Sequence, residues 1–291
     1  MNGERDLGTD AAASLMNMTT LIVMSAELSP APKWRKYVAI GDSFTEGLND
    51  VDPQNPEAFR GWADLLAANL HARITAVEPQ AQFNYANLAI RGRLTADIVG
   101  PQLDAALALQ PDLVSMVGGG NDILRPQVNP DILALRLERA VIAIRKTGAD
   151  VLLATGMDTK ESPIVSKTRG RTALLNANIW SIARRHGAYV LDLWGMRALR
   201  DWRMWSQDRI HLTTDGHKRV TQAALVALGL EADDPNWDVP LEPEALQSRL
   251  ERMQEDAEWF KTHVFPWATR RLRGRSSGDD RVAKRPEWTE L

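Results

Sequence analysis

Residues 41–47 read GDSFTEG and follow directly on a short apolar run, YVAI, at 37–40. A buried-looking strand that ends in Gly, Asp and Ser has three readings. It is a phosphate-cradling turn, an ordinary strand-to-helix turn, or the seat of a nucleophile. The choice among them fixes both the fold and the chemistry, and it depends on the rest of the chain.

Runs of strand length recur beyond YVAI: FNYANLAI (83–90), DLVSMV (112–117), DVLLAT (150–155) and AYVLDL (188–193). Segments of helical period lie between them. Leu133, Leu137, Ala140, Val141 and Ile144 share one face, with Gly148 placed to end that helix. Leu175, Ile179 and Ile182 repeat the pattern ahead of Gly187, and residues 215–229 read as a further helix with Thr214 or Asp215 near its N-cap. Strands alternating with helices predict βαβ units and a parallel sheet covered on both faces. The expected core is an α/β three-layer sandwich of five parallel strands over residues 35–230.

The flanks read differently. Residues 1–34 are expected to be a disordered tail or to precede the true start, with Met16, Met18 and Met24 as alternative starts. LMNMTTLIVM (15–24) is a poor signal sequence, because polar residues interrupt it and acidic ones precede it, so the expected setting is cytoplasmic. EADDPNWDVP (231–240) reads as a linker. After it, Leu246, Leu250, Met253, Ala257, Phe260 and Val264 form one apolar helical stripe. A helix packed back on the core is the plain reading of that stripe; a contact for an oligomer and a lid over the site are the alternatives. The end, from Arg270, reads as an extended or loose tail, so 231–291 is linker, amphipathic helix and Arg-rich tail.

Composition excludes several functions. The chain is 44% hydrophobic and 25% charged, which is globular rather than disordered. A net charge of −3 gives no bulk electrostatic support for nucleic-acid binding. The absence of cysteine removes disulfides, thiolate metal sites and a cysteine nucleophile. No apolar run reaches the roughly 18–20 residues that span a bilayer. VGGGND lacks the G-K-[ST] ending of a phosphate-binding loop, and no His/Asp/Glu set has metal spacing, so no cofactor is expected.

In open parallel sheets, ligands bind at the carboxyl ends of the strands. Four polar clusters are expected there: GDS, then RGR (91–93), GGGND (118–122) and DRIH (208–211). Ser43 is a nucleophile candidate that needs a base within hydrogen-bond reach. His211 is the best candidate for that base, and Asp208 is placed to orient its ring. The backbone N–H groups of Ser43 and Gly92 and the side-chain amide of Asn121 are candidate donors to an oxyanion.

GDSFTEGL, NLAIRGR, GGGND and DRIHLTTDGH occur in the order, and near the spacing, of the four blocks of the SGNH (GDSL-type) hydrolase family. The resemblance covers about residues 36–228. It implies a flavodoxin-like fold and a serine esterase acting on a small-molecule ester. Its serine matches Ser43, its glycine Gly92, its asparagine Asn121, and its Asp-x-x-His pair Asp208 and His211. Phe44 stands where the family name has Leu, at a position with no catalytic part.

Each motif alone is weak, and each residue has a plainer reading. Ser43 also fits a helix cap. His211 also fits a surface loop. His217 reads better as a helix-surface or packing residue than as a catalytic one. Asp42 and Asp122 read as organisers of their turns, and His71, His186 and His263 as structural or exposed. GRSSG (274–278) matches the elbow of another hydrolase fold, but no apolar strand precedes it and no histidine follows Ser276. Among ten tryptophans, Trp194, Trp202 and Trp205 stand shortly before Asp208 and suit an acyl or sugar pocket, or plain packing. Sugar-ester deacetylation, short-chain ester hydrolysis, and lysophospholipid or thioester cleavage stay open. So does a non-catalytic binding module on the same fold.

Overall fold

A computed structural model describes residues 31–160, 162, 165–242, 257–259, 261–262 and 276–291. The compact unit that holds all of them but Ala31 runs from Pro32 to Leu291. Its first strand, β1 (Lys36–Ile40), is buried on both faces. Tyr37 and Ala39 enter one apolar cluster, and Val38 and Ile40 enter the other. Such two-sided burial is why the strand reads as an unbroken apolar run rather than an alternating one.

The chain leaves β1 into a one-turn helix, α1 (Ser43–Glu46), and then a small antiparallel pair, β2 (Val51–Asp52) with β3 (Asn55–Phe59). The long helix α2 (Trp62–Val77) follows, then β4 (Asn84–Asn87), a run of helical turns over 95–108, and β5 (Leu113–Met116). After β5 come α3 (Pro130–Lys146), β6 (Asp150–Ala154), α4 (Arg169–His186), β7 (Tyr189–Leu191) and α5 (Thr214–Ala227). Asn129 caps α3 by accepting from the N–H groups of Asp131 and Ile132, and Pro130 fills its first turn. Gly187 ends α4 at φ 63°, the left-handed conformation that favours glycine.

The sheet has the order β7-β6-β5-β1-β4-β8, the last strand being Arg285–Glu290. The pairs among its first five strands are parallel. Their chain order is that of a flavodoxin-like sheet, which reverses between β1 and β5. α2 and α5 pack on one face, with Trp62, Leu66, Leu70, Val220 and Ala224. The turns over 95–108, α3 and α4 pack on the other, with Ile98, Leu137, Val141, Leu175 and Ile179. This is the expected three-layer sandwich.

The sixth strand departs from expectation. β8 (Arg285–Glu290) lies in the segment read as a loose tail, yet it pairs antiparallel with β4 and covers what would otherwise be an open sheet edge. RPEWTE carries no apolar run, because a sheet edge recruits backbone groups and asks little of side chains. Pro286 is tolerated because an edge strand bonds a neighbour on one side only. Lys284, just ahead of β8, locks the segment down. Its Nζ donates to the carbonyls of Glu46 (2.6 Å), Phe59 (3.0 Å) and Arg60 (2.7 Å) and to Asp64 Oδ2 (2.6 Å).

Of the helix expected over 246–264, Leu246, Leu250, Met253, Phe260 and Val264 lie outside the described residues, while 257–259 are helical and Trp259 is buried. Among the described residues no helix is long and apolar enough to cross a membrane.

Candidate active site

The nucleophile candidate is placed by a turn that tolerates few substitutions. A Cβ on Gly41 would meet Thr45 Oγ1 at 2.6 Å and the Val117 carbonyl at 2.9 Å, so only glycine fits between β1 and α1. Buried Gln102 serves the Gly41 backbone in both directions, accepting from its N–H (2.8 Å) and donating to its carbonyl (3.0 Å). Asp42 caps α1 by accepting from the Phe44 N–H at 3.1 Å. Ser43 is therefore the first residue of α1, and its own N–H has no acceptor within the helix.

Asp208 and His211 come from a tight loop between β7 and α5. Trp205 and Leu212 form a bridge that closes the loop, and the Ser206 N–H donates to the His211 carbonyl at 2.8 Å. Arg209 holds φ 54°, a conformation few residues with a Cβ adopt. Asp208 folds this turn around its own carboxylate: Oδ1 accepts from the N–H groups of Ile210 (3.0 Å) and His211 (2.9 Å) and from Ser206 Oγ (2.9 Å).

The two segments meet. His211 Nε2 lies 2.8 Å from Ser43 Oγ, and His211 Nδ1 lies 2.6 Å from Asp208 Oδ2. Asn49 Nδ2 also donates to Asp208 Oδ2, at 2.9 Å. Burial raises the Asp208 carboxyl, but the hydrogen bond and charge of His211 and the loop N–H groups outweigh it and hold the acid well below the usual carboxylate range. An ionised Asp208 fixes His211 with its proton on Nδ1 and a lone pair on Nε2 facing the serine. That is the state from which a hydroxyl proton is taken.

Asn121 sits in a short helical turn, Gly120–Ile123, entered through Gly119 at φ 101°. It lines the same cavity as Ser43 and His211. Its Nδ2 donates to the Arg93 carbonyl (3.0 Å) and to Asp42 Oδ2 (3.2 Å), so the amide is held between the loops after β1 and β4. Burial pushes the Asp42 carboxyl up to about 6, against the hydrogen bond from Phe44. Asp122 turns the other way and accepts from the Thr95 N–H and hydroxyl.

Gly92 lies on the loop after β4, which is tied to Gly41 by the Ile90 N–H at 3.3 Å. Gly92 is not among the residues lining the cavity. At φ 73° its backbone is left-handed, and Ser276 Oγ fills the place where a Cβ would stand. The neighbouring Arg91 pairs with Glu46 through its guanidinium, and its N–H donates to Glu46 Oε2 at 2.6 Å. The C-terminal segment thus backs the Gly92 loop through Ser276 and the end of α1 through Lys284.

His217 is wholly buried on α5, not on the helix surface; its Nδ1 accepts from the Trp62 N–H at 3.2 Å, and its Nε2 has no hydrogen-bond partner among the described residues. Burial pushes its pKa down to about 4. Trp202 and Trp205 line the cavity, whereas Trp194 does not and instead lies against Arg169.

Three residues around the site were not legible as such. Asn49 carried one cue, a short polar side chain able to hold the φ of 75° it adopts just past α1. Ser206, two residues before Asp208, looked like any loop serine. Trp259 lies 51 positions from Asp208, whose carbonyl accepts its indole N–H at 2.9 Å, and nothing local announces that contact.

Comparison with known proteins places the chain. The model of the GDSL-like Lipase/Acylhydrolase family matches residues 39–219. Among solved structures, LAE5, an alpha/beta hydrolase enzyme from the metagenome of Lake Arreo, Spain, is similar at 26% identity and a TM-score of 0.56, covering 67% of this chain and 95% of that one. Axe2, an acetylxylan esterase from Geobacillus stearothermophilus, is similar at 21% identity and a TM-score of 0.56, covering 69% and 97%. TesA is similar at 22% identity and a TM-score of 0.52, covering 66% and 97%. No curated protein matches.

Proposed function

The chain belongs to the GDSL-like lipase/acylhydrolase family of ester hydrolases, and from that premise we propose that it is a serine hydrolase that cleaves carboxylic esters through an acyl-enzyme on Ser43. The observation that carries this reading is the unbroken line from Asp208 through His211 to Ser43 Oγ, at 2.6 and 2.8 Å.

Ser43 Oγ attacks the ester carbonyl carbon as its proton passes to His211 Nε2. The resulting imidazolium is stabilised by ionised Asp208. The negative charge on the former carbonyl oxygen is met by the Ser43 N–H and by Asn121, which gives up its 3.2 Å bond to Asp42 to reach it; Gly92, the third donor the sequence offers, does not line the cavity. His211 then protonates the departing alcohol oxygen, leaving the acyl group on Ser43. Water enters, His211 takes its proton, and collapse of the second intermediate releases the carboxylic acid and restores the serine. No redox or external group is needed for this balance.

Ser43→Ala and His211→Ala each lower kcat for p-nitrophenyl acetate by a factor on the order of 10⁴ to 10⁶, with the fold retained by circular dichroism. Wild-type turnover in both variants contradicts the reading.

A further inference from the structure

Ser43 and His211 line a cavity of about 260 Å³. The rest of its wall is largely apolar, with Val117, Ile123, Met157, Leu175, Leu199 and Ile210 among the residues that form it. Several polar groups of that wall are turned to protein partners, while Thr159 Oγ1 is buried with none among the described residues. Thr155 Oγ1 donates to Asp192, Thr168 Oγ1 to the Val165 carbonyl, and Thr172 Oγ1 to the Thr168 carbonyl. The indoles behave alike: Trp205 Nε1 donates to the Leu199 carbonyl and Trp259 Nε1 to the Asp208 carbonyl. A sugar ring buried here would leave most of its hydroxyls short of partners. An aliphatic chain meets no such cost.

Chemistry narrows the occupant further. In ester hydrolysis through an acyl-enzyme, the alcohol must leave before water arrives, while the acyl group stays attached to the serine. The largely apolar cavity beside Ser43 suits the group that stays.

One wall of the cavity comes from outside the region that matches the family. Trp259 lies beyond residue 219, is 8% exposed, and is held by the Asp208 carbonyl and by the Arg209 guanidinium, 5.0 Å from its ring centre. We propose that the cavity is an acyl site for an unbranched aliphatic chain, with Trp259 as the specificity-determining wall that the C-terminal segment adds to it. This rests on the serine-esterase reading above.

The test uses the full chain and two ester series. With p-nitrophenyl esters of increasing acyl length, kcat/KM rises up to about fourfold per added methylene from acetate, passes an optimum at a longer chain and then falls. With acetate esters of increasing alcohol length it stays nearly flat. In Trp259→Ala the acyl optimum moves to longer chains. Trp259→Phe, which retains a ring, moves it less and serves as the test if the alanine variant does not fold. An acetate optimum, or a dependence on alcohol length in place of acyl length, overturns the proposal. An unchanged optimum in a folded Trp259 variant overturns the role of Trp259. These failures leave Ser43 reactive toward a fluorophosphonate, whereas failure of the esterase reading itself shows as a folded protein that neither labels nor turns over any ester.

Discussion

Replacing Asp208 by Asn keeps the size of the side chain and changes what it offers to His211. The carboxylate collects donors on both oxygens: Ser206 Oγ and the Ile210 and His211 N–H groups on Oδ1, and His211 Nδ1 and Asn49 Nδ2 on Oδ2. In Asp208→Asn the amide oxygen takes the three donors of the turn, because they hold the loop together. The NH₂ group then faces His211 Nδ1 and Asn49 Nδ2. His211 must accept at Nδ1, so its proton sits on Nε2, and the ring can no longer take a proton from Ser43. The expected loss is roughly 10⁴-fold in kcat, the scale seen when a triad carboxylate is replaced by its amide. The opposed NH₂ groups cost about 1–3 kcal/mol of stability. The assay is kcat for a p-nitrophenyl ester at neutral pH, beside urea denaturation of both proteins. Because Asp208 is held below its unfolded value, its ionised form stabilises the native state above about pH 4, and that contribution fades as pH falls through the folded pKa. The stability gap between wild type and variant therefore narrows in acid. A variant within tenfold of wild-type kcat refutes the tautomer argument.

His217 sets an acid limit on the fold. Burial lowers it from 6.5 to about 4, so the unfolded chain binds the proton first. Its contribution is complete above about pH 6.5 and is lost as pH falls toward 4, on the order of 3 kcal/mol in all; His217→Gln should flatten the midpoint of urea denaturation across that window, and an unchanged slope contradicts the assignment. Lys284→Met strips one carboxylate and three carbonyls of their shared donor and should lower stability by about 3–5 kcal/mol. Adding Asp64→Asn should recover part of that loss, since it removes a buried charge left with Arg285 alone, at 3.7 Å; strict additivity of the two changes excludes the coupling. Gly41→Ala should fail to fold or lose most activity, because its methyl group would lie 2.9 Å from the Val117 carbonyl; normal turnover shows the turn to be looser than described.

What could be read in the sequence followed burial. The five parallel strands are apolar runs because both faces of that sheet are covered. α3 and α5 kept a clear stripe because their outer faces, Ile132, Leu135 and Val226 apart, are largely polar. α2 was missed: its buried face mixes Trp62, Leu66, Leu70 and Ile74 with Ala63 and Ala67, and alanines blur the contrast between faces. β8 was missed because its identity lies in the open edge of β4, a property of distant residues. The site divides in the same way. Ser43 and Asn121 follow the ends of β1 and β5, and Asp208 and His211 stand just ahead of α5, so their motifs and order in the chain were readable. Asn49, Ser206 and Trp259 act on Asp208 through contacts that only the folded loop creates.

The central claim is that Ser43 is a nucleophile activated by His211. A fluorophosphonate reacts with an activated serine, and peptide mass spectrometry locates the adduct. One equivalent on Ser43 in the folded wild-type protein, with labelling abolished in Ser43→Ala and strongly slowed in His211→Ala, is the result expected. A folded protein that takes no label, or carries it on another residue such as Ser276, contradicts the account.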